Sequence, residues 1–212
     1  MLEVIPGILE KDWGKIEEKI ALLSPFAKVL QIDIADGILA NNTTFLDAAP
    51  FAKYKDQFFL EVHMMVENQI DYVEDYIEAG FKRRLGQIEG REDPYEFLER
   101  CRELEVEVGL ALDGPTPVEE LFDFVDEVDC FHCYISEKMG FAGPPMLPER
   151  LEKVKLLRQR TSLPIEVDGG VKDTTIKLAK EAGATRFVAT SFISHAPDPK
   201  KAFIALQEAI KG

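Results

Sequence analysis

Cysteine is scarce in this chain, long apolar runs are missing, and basic residues are outnumbered; each shortage closes off a class of function. The three cysteines, Cys101, Cys130 and Cys133, make an odd count with no disulfide framework. Cys130-Phe131-His132-Cys133 has a C-x-x-C spacing, but no second pair completes a zinc site. Along a strand those two thiols point to opposite faces and cannot chelate together. No apolar run approaches the ~20 residues that span a bilayer, and the opening residues lack a basic-then-apolar signal layout. Reduced thiols and no signal lead to the expectation of a cytoplasmic protein. Lys and Arg number 25 against 39 Asp and Glu, a net charge of −14. That balance argues against nucleic acid or a membrane surface as partner. A phosphorylated small molecule stays open, because helix N-termini and glycine amides hold phosphate locally. Linkers and low-complexity segments are also missing, so residues 1–212 are expected to form a single domain.

What is present is repetition. Strand-like runs are expected over Leu2–Ile5, Lys28–Asp33, Phe58–His63, Arg83–Ile88, Val106–Leu112, Cys130–Ile135, Leu163–Val167 and Thr185–Ala189. Helix-like segments alternate with them: Lys11–Leu23, Leu46–Tyr54, Ile70–Ala79, a stretch after Pro94, Thr116–Val125, Pro148–Gln159, Thr174–Ala182 and Lys200–Ile210. Near-continuous apolar strands in strict β-then-α order mean a parallel sheet covered by helices. Eight such units predict an α/β fold closed into a single (β/α)8 TIM barrel, whose strand C-termini open on one ligand-binding face. An open doubly wound sheet is disfavoured because no G-x-G-x-x-G follows the first strand.

Chemically capable residues collect at those strand ends. Asp33 interrupts Val29-Leu30-Gln31-Ile32-Asp33-Ile34-Ala35, and a carboxylate there is costly unless something pairs with it or uses it. Gln31 lies two residues before it, on the same strand face. His63, Glu89, Asp113 and Asp168 fall at or just past later strand ends, and backbone-permissive loops follow at Gly140-Phe141-Ala142-Gly143, Gly169-Gly170 and Thr190-Ser191. Loops after the last strands of a barrel are where phosphate cradles sit. Asn41–Phe45 and Lys138–Pro145 are the segments expected to cover the site.

Taken together, these segments resemble the ribulose-phosphate 3-epimerase family over nearly the full length. Ile5-Pro6-Gly7-Ile8-Leu9 matches its P-S-I-L, and Gln31-Ile32-Asp33-Ile34-Ala35-Asp36-Gly37 its H-x-D-x-M-D-G. Glu61-Val62-His63-Met64-Met65-Val66, Ala111-Leu112-Asp113-Gly114-Pro115-Thr116-Pro117, Gly140-Phe141-Ala142-Gly143 and Glu166-Val167-Asp168-Gly169-Gly170 match later motifs. The resemblance implies epimerisation of a ketose phosphate, D-ribulose 5-phosphate to D-xylulose 5-phosphate or a six-carbon analogue such as allulose 6-phosphate. It implies Asp33 and Asp168 as acid and base working through an enediolate. His63, Met65, Gly140, Phe141, Ala142, Gly143, Gly169, Gly170, Thr190 and Ser191 would contact substrate. A divalent cation (Zn, Fe, Mn or Co) would be held by Asp33, His63 and Asp168, with Gln31 standing where the family has its first histidine ligand. A homo-oligomer is implied as well.

The departures are specific. Gln31 offers an amide in place of imidazole, Gly7 replaces the family's substrate-facing serine, and Thr190 replaces the glycine of G-S. Ala35 and Ile135 stand where the family has pocket methionines. They motivate a second hypothesis, a sugar-phosphate-binding relative without turnover. Decarboxylase or aldolase chemistry of the D-x-K-x-x-D type is disfavoured, because Asp33-Ile34-Ala35 has no lysine at the required place.

Overall fold

A computed structural model describes residues 2–90 and 93–211. Eight parallel strands close on themselves in sequence order, β8 returning to β1. They are β1 (Glu3–Ile8), β2 (Val29–Ala35), β3 (Phe59–Met65), β4 (Arg83–Gln87), β5 (Glu107–Leu112), β6 (Cys130–Tyr134), β7 (Ile165–Asp168) and β8 (Arg186–Ala189). The expected TIM barrel is therefore the fold. Around it run α1 (Trp13–Leu23), α2 (Ile70–Glu78), α3 (Pro94–Glu103), α4 (Leu151–Arg158), α5 (Ile176–Glu181), α6 (Ser191–Ser194) and α7 (Pro199–Ala209). Asp12, Asp93 and Asp198 cap α1, α3 and α7 by accepting from backbone N–H groups of the first turn, the last two with a proline following at the first helical position. Among the described residues no helix is long and apolar enough to cross a membrane.

Two expected helices are 3-10 turns instead. Ala49–Tyr54 links β2 to β3, and Val118–Phe124 links β5 to β6. In the second, the buried side chains are Val118, Leu121 and Phe124. Their spacing of three matches the three residues per turn of a 3-10 helix, so the tighter winding puts all three on the core side.

Alternation sorts each strand into an outer and an inner face. Leu30, Ile32 and Ile34 of β2 join the large apolar core beneath the helices, together with Phe51, Tyr76 and Phe81. Cys133 packs in that same core, whereas the Cys130 thiol lies inside the barrel against Gly109. Both thiols are free, and their opposite facing agrees with the strand reading. Ile135 also packs in the outer core, so the expected pocket position on β6 belongs to Tyr134, one residue earlier, which faces inward.

The inner face is unusually polar. Arg186 on β8 donates to Glu61 on β3, a contact that must cross the interior because those strands are not neighbours. Arg186 Nε also donates to Glu166 Oε2 (2.9 Å), and a further Arg186 nitrogen to Glu3. Arg83 Nη1 donates to Glu61 Oε2 (2.6 Å), and its other terminal nitrogen to Glu107. This ionic network fills the end of the barrel from which the strands start. Above it, Asp33 and His63 are paired in register two residues before β2 and β3 end. Both strands run past the expected ends, which sinks these side chains below the rim.

Candidate active site

At the C-terminal mouth of the barrel lies a cavity of about 360 Å³. Asp33, His63 and Met65 line it from β2 and β3, and Asp168, Gly169 and Gly170 from β7 and its loop. Gly140, Phe141, Ala142 and Gly143 form one wall, and Thr190 and Ser191 another. Every residue expected to touch substrate is thus in one cavity. Gln31 lies fully buried beneath it, and Glu89 and Asp113 are outside its lining. Tyr134, Lys172 and His195 also line it and were not anticipated.

The floor is built from strand residues held by partners deeper in the barrel. Gln31 Nε2 donates to Asp33 Oδ1 (2.8 Å), so the glutamine serves the carboxylate from below. His63 Nε2 lies 2.8 Å from Gln87 Oε1, and Gln87 Nε2 donates to Glu89 Oε2 (2.6 Å). Glu89 also accepts from the Asp113 backbone N–H (2.9 Å). These two residues, expected as site groups, are therefore the brace behind His63. Because Gln87 commits its amide nitrogen to Glu89, its oxygen faces the ring, and His63 donates through Nε2. His63 Nδ1 then faces Asp33 Oδ1 at 3.4 Å with no hydrogen-bond partner of its own.

His132 is the residue that sequence reasoning missed. Its ring lies against His63, centroids 4.2 Å apart, across the interior from β6. His132 Nδ1 is 2.7 Å from Glu166 Oε1, and His132 Nε2 is buried without a partner, 3.9 Å from Asp168 Oδ2. Burial works to raise the Glu166 pKa, but the Arg186 charge, with His132 and Arg83, overcomes it and holds the carboxyl down to about 2. An ionised carboxylate only accepts, so His132 Nδ1 carries the proton and Nε2 presents a lone pair. A signal was there to find it. Polar residues alternate with apolar ones at Gln31/Asp33, Glu61/His63 and Glu166/Asp168, and His132 sits on the same inner register, paired with Glu166.

Asp168 closes β7, its side chain 13 % exposed to the cavity. Burial, and next the negative charge of Asp33, push its carboxyl up to about 8. The carboxyl also accepts from the Gly169 N–H (2.6 Å). The two carboxylates reach one cavity from β2 and β7, with β1 and β8 between them.

The rim depends on two glycine requirements. Gly170 has φ +70°, and a Cβ there would meet the Met146 backbone nitrogen at 2.0 Å. At Gly7 a Cβ would lie 2.4 Å from Thr190 Oγ1. The threonine hydroxyl thus occupies space that a β1 side chain would need, so the two departures at positions 7 and 190 are complementary. Of the two covering segments, only Gly140–Pro144 touches the cavity; Asn42 braces it by donating to the Gly140 carbonyl (2.7 Å).

Comparison with known proteins agrees with this geometry. The sequence model of the Ribulose-phosphate 3 epimerase family matches residues 3–194. The chain is 33% identical to the ribulose-phosphate 3-epimerase, cytoplasmic isoform, of Oryza sativa subsp. japonica, over 99% of this chain and 95% of that protein. It is 28% identical to the ribulose-phosphate 3-epimerase of Schizosaccharomyces pombe, over 98% of this chain and 93% of the relative. Among solved structures, KGPDC from Streptococcus mutans shares the fold at a TM-score of 0.78 and 13% identity, covering 100% of this chain and 98% of that one. A 3-hexulose-6-phosphate synthase does so at 0.73 and 17%, covering 99% and 100%.

Proposed function

The chain belongs to the ribulose-phosphate 3-epimerase family, and from that premise we propose that this sugar-phosphate epimerase interconverts D-ribulose 5-phosphate and D-xylulose 5-phosphate. The observation that carries the reading is the pair Asp33 and Asp168, two carboxyl groups from non-adjacent strands lining one cavity, with burial and the Asp33 charge raising the Asp168 pKa. Inversion at a carbon beside a ketone needs a base on one face and an acid on the other. Asp33 takes the C3 proton as the C3–H electron pair moves into the C2–C3 bond of an enediolate. Asp168 then gives its proton to C3 from the opposite face, and the exchanged protonation states run the reaction backwards.

The enediolate's negative charge requires a positive or hydrogen-bonding counterpart. The donor set suits a divalent cation: His63, His132 and Asp168 each bring a ligand atom within 4.8 Å of the others, and each buried ring keeps one nitrogen without a partner, His63 Nδ1 and His132 Nε2. Bound there, such an ion supplies Lewis-acid stabilisation of developing oxygen charge. Asp33 stands beside His63 and is held by Gln31. At the rim, the Gly140–Gly143 and Gly169–Gly170 loops, Thr190, Ser191 and the Lys172 side chain's charge suit the phosphate, and Met65 gives an apolar wall. A homo-oligomer follows from the same family reading and is measured directly by light scattering.

Solvent deuterium incorporation tests the proposal. With Co2+ supplied, ribulose 5-phosphate in D2O should become xylulose 5-phosphate carrying deuterium at C3. No exchange with this sugar overturns the assignment. Exchange confined to allulose 6-phosphate moves it to the six-carbon substrate, and stabilisation by pentose phosphate without exchange favours the binding relative.

A further inference from the structure

We propose that His132 on β6 is a ligand of this protein's divalent cation, taking over the place given up on β2 by Gln31, so that the ion is held by His63, His132 and Asp168. The argument rests on which ring nitrogens already have a partner and which do not. Glu89 fixes the Gln87 amide, Gln87 takes the His63 Nε2–H, and His63 is left with a bare Nδ1. Glu166, paired with Arg186, takes the His132 Nδ1–H and leaves Nε2 bare. A histidine whose far nitrogen donates to a carboxylate or amide oxygen while the near one has no partner is the arrangement that prepares imidazole for a metal. These two rings, from β3 and β6, and Asp168 each bring a ligand atom within 4.8 Å of the others, and the bare His132 Nε2 lies 3.9 Å from Asp168 Oδ2.

The same geometry gives Gln31 another task. Its amide nitrogen is committed to Asp33 Oδ1, and its neutral oxygen is a poor donor to a transition ion beside imidazole. Gln31 thus acts as a positioning residue for Asp33, the proposed base. His63 Nδ1 facing Asp33 Oδ1 at 3.4 Å sets two acceptors against each other. A cation between the two histidines and Asp168 relieves that opposition; so does a proton on His63, and the experiment separates the two.

The proposal deepens the epimerase reading, yet its test needs no sugar, so the two can fail separately. The chelator-stripped full-length protein is titrated with Co2+ and with Zn2+, following heat and the visible Co2+ absorption. One equivalent should bind. His132→Gln should weaken binding about 100-fold or more and alter the Co2+ spectrum, Glu166→Gln should weaken it about 10–100-fold, and Gln31→Leu should leave the affinity within about threefold. X-ray absorption of the zinc-loaded parent, independent of any variant's folding, should count two imidazoles. Failure of the parent to bind either ion, a single imidazole, or His132→Gln binding with parental affinity and spectrum would each overturn the proposal.

Discussion

The two ends of the barrel interior are both polar, but they balance their charges differently. At the lower end Glu3, Glu61, Glu107 and Glu166 surround Arg83 and Arg186, and each of these carboxylates has a guanidinium partner. Leftover atoms there, Glu61 Oε1 and Arg83 Nε, belong to groups already paired through other atoms. At the upper end Asp33 and Asp168 oppose each other electrostatically, and the bare nitrogens of His63 and His132 converge with Asp168. At the lower end every carboxylate is held by a guanidinium, although four acids share two bases and burial with the Glu166 charge still pushes Glu61 up; at the upper end neither carboxyl has a guanidinium, and two imidazole nitrogens are left without partners. Glu166 joins the two ends: Arg186 holds it from below and it holds His132 above.

Substitutions at the two ends should therefore fail in opposite ways. Asp33→Asn and Asp168→Asn should each lower kcat about 10²–10⁴-fold, with the urea midpoint unchanged or higher because the repulsion between the two carboxyl groups has gone. Parental turnover in both would break the two-carboxylate scheme. Arg186→Met at the lower end should instead cost about 3–5 kcal/mol in urea unfolding by stranding Glu61 and Glu166; a loss under ~1 kcal/mol would show that the network is not holding the barrel. At the rim, Gly7→Ala should cost about 1–3 kcal/mol through its clash with Thr190. Combining Gly7→Ala with Thr190→Gly should cost less than the sum of the two single changes, a coupling read from the double-mutant cycle. The smallest effect is expected for Asn42→Ala, where loss of one hydrogen bond worth ~1 kcal/mol should raise the KM for the sugar phosphate about fivefold with kcat unchanged.

Legibility in the sequence follows the range of the forces involved. The barrel is readable because apolar runs and turn residues are local signals that repeat, and Asp33, His63 and Asp168 are readable because they interrupt such runs near their ends. The Val118–Phe124 turn reads as a helix because a spacing of three lies close to the helical period of 3.6. Ile135 reads as a pocket residue only through the family resemblance; alternation along β6 turns it to the outer core and gives the site to Tyr134. Glu89 and Asp113 are recognisable as polar strand-end residues, but their role as a brace depends on Gln87, which no spacing rule connects to them.

By itself the sequence determined the eightfold repeat, the closed parallel sheet, the family, and the two carboxyl groups, Asp33 and Asp168, that line one cavity. Only the tertiary structure decided that His132 stands against His63, that Gln31 serves Asp33, and that Thr190 fills the space above Gly7. Those relations join strands that are far apart in the chain, or set a side chain's partner by packing across the interior. Alternation along one strand says which way a residue faces; barrel closure alone says whom it meets.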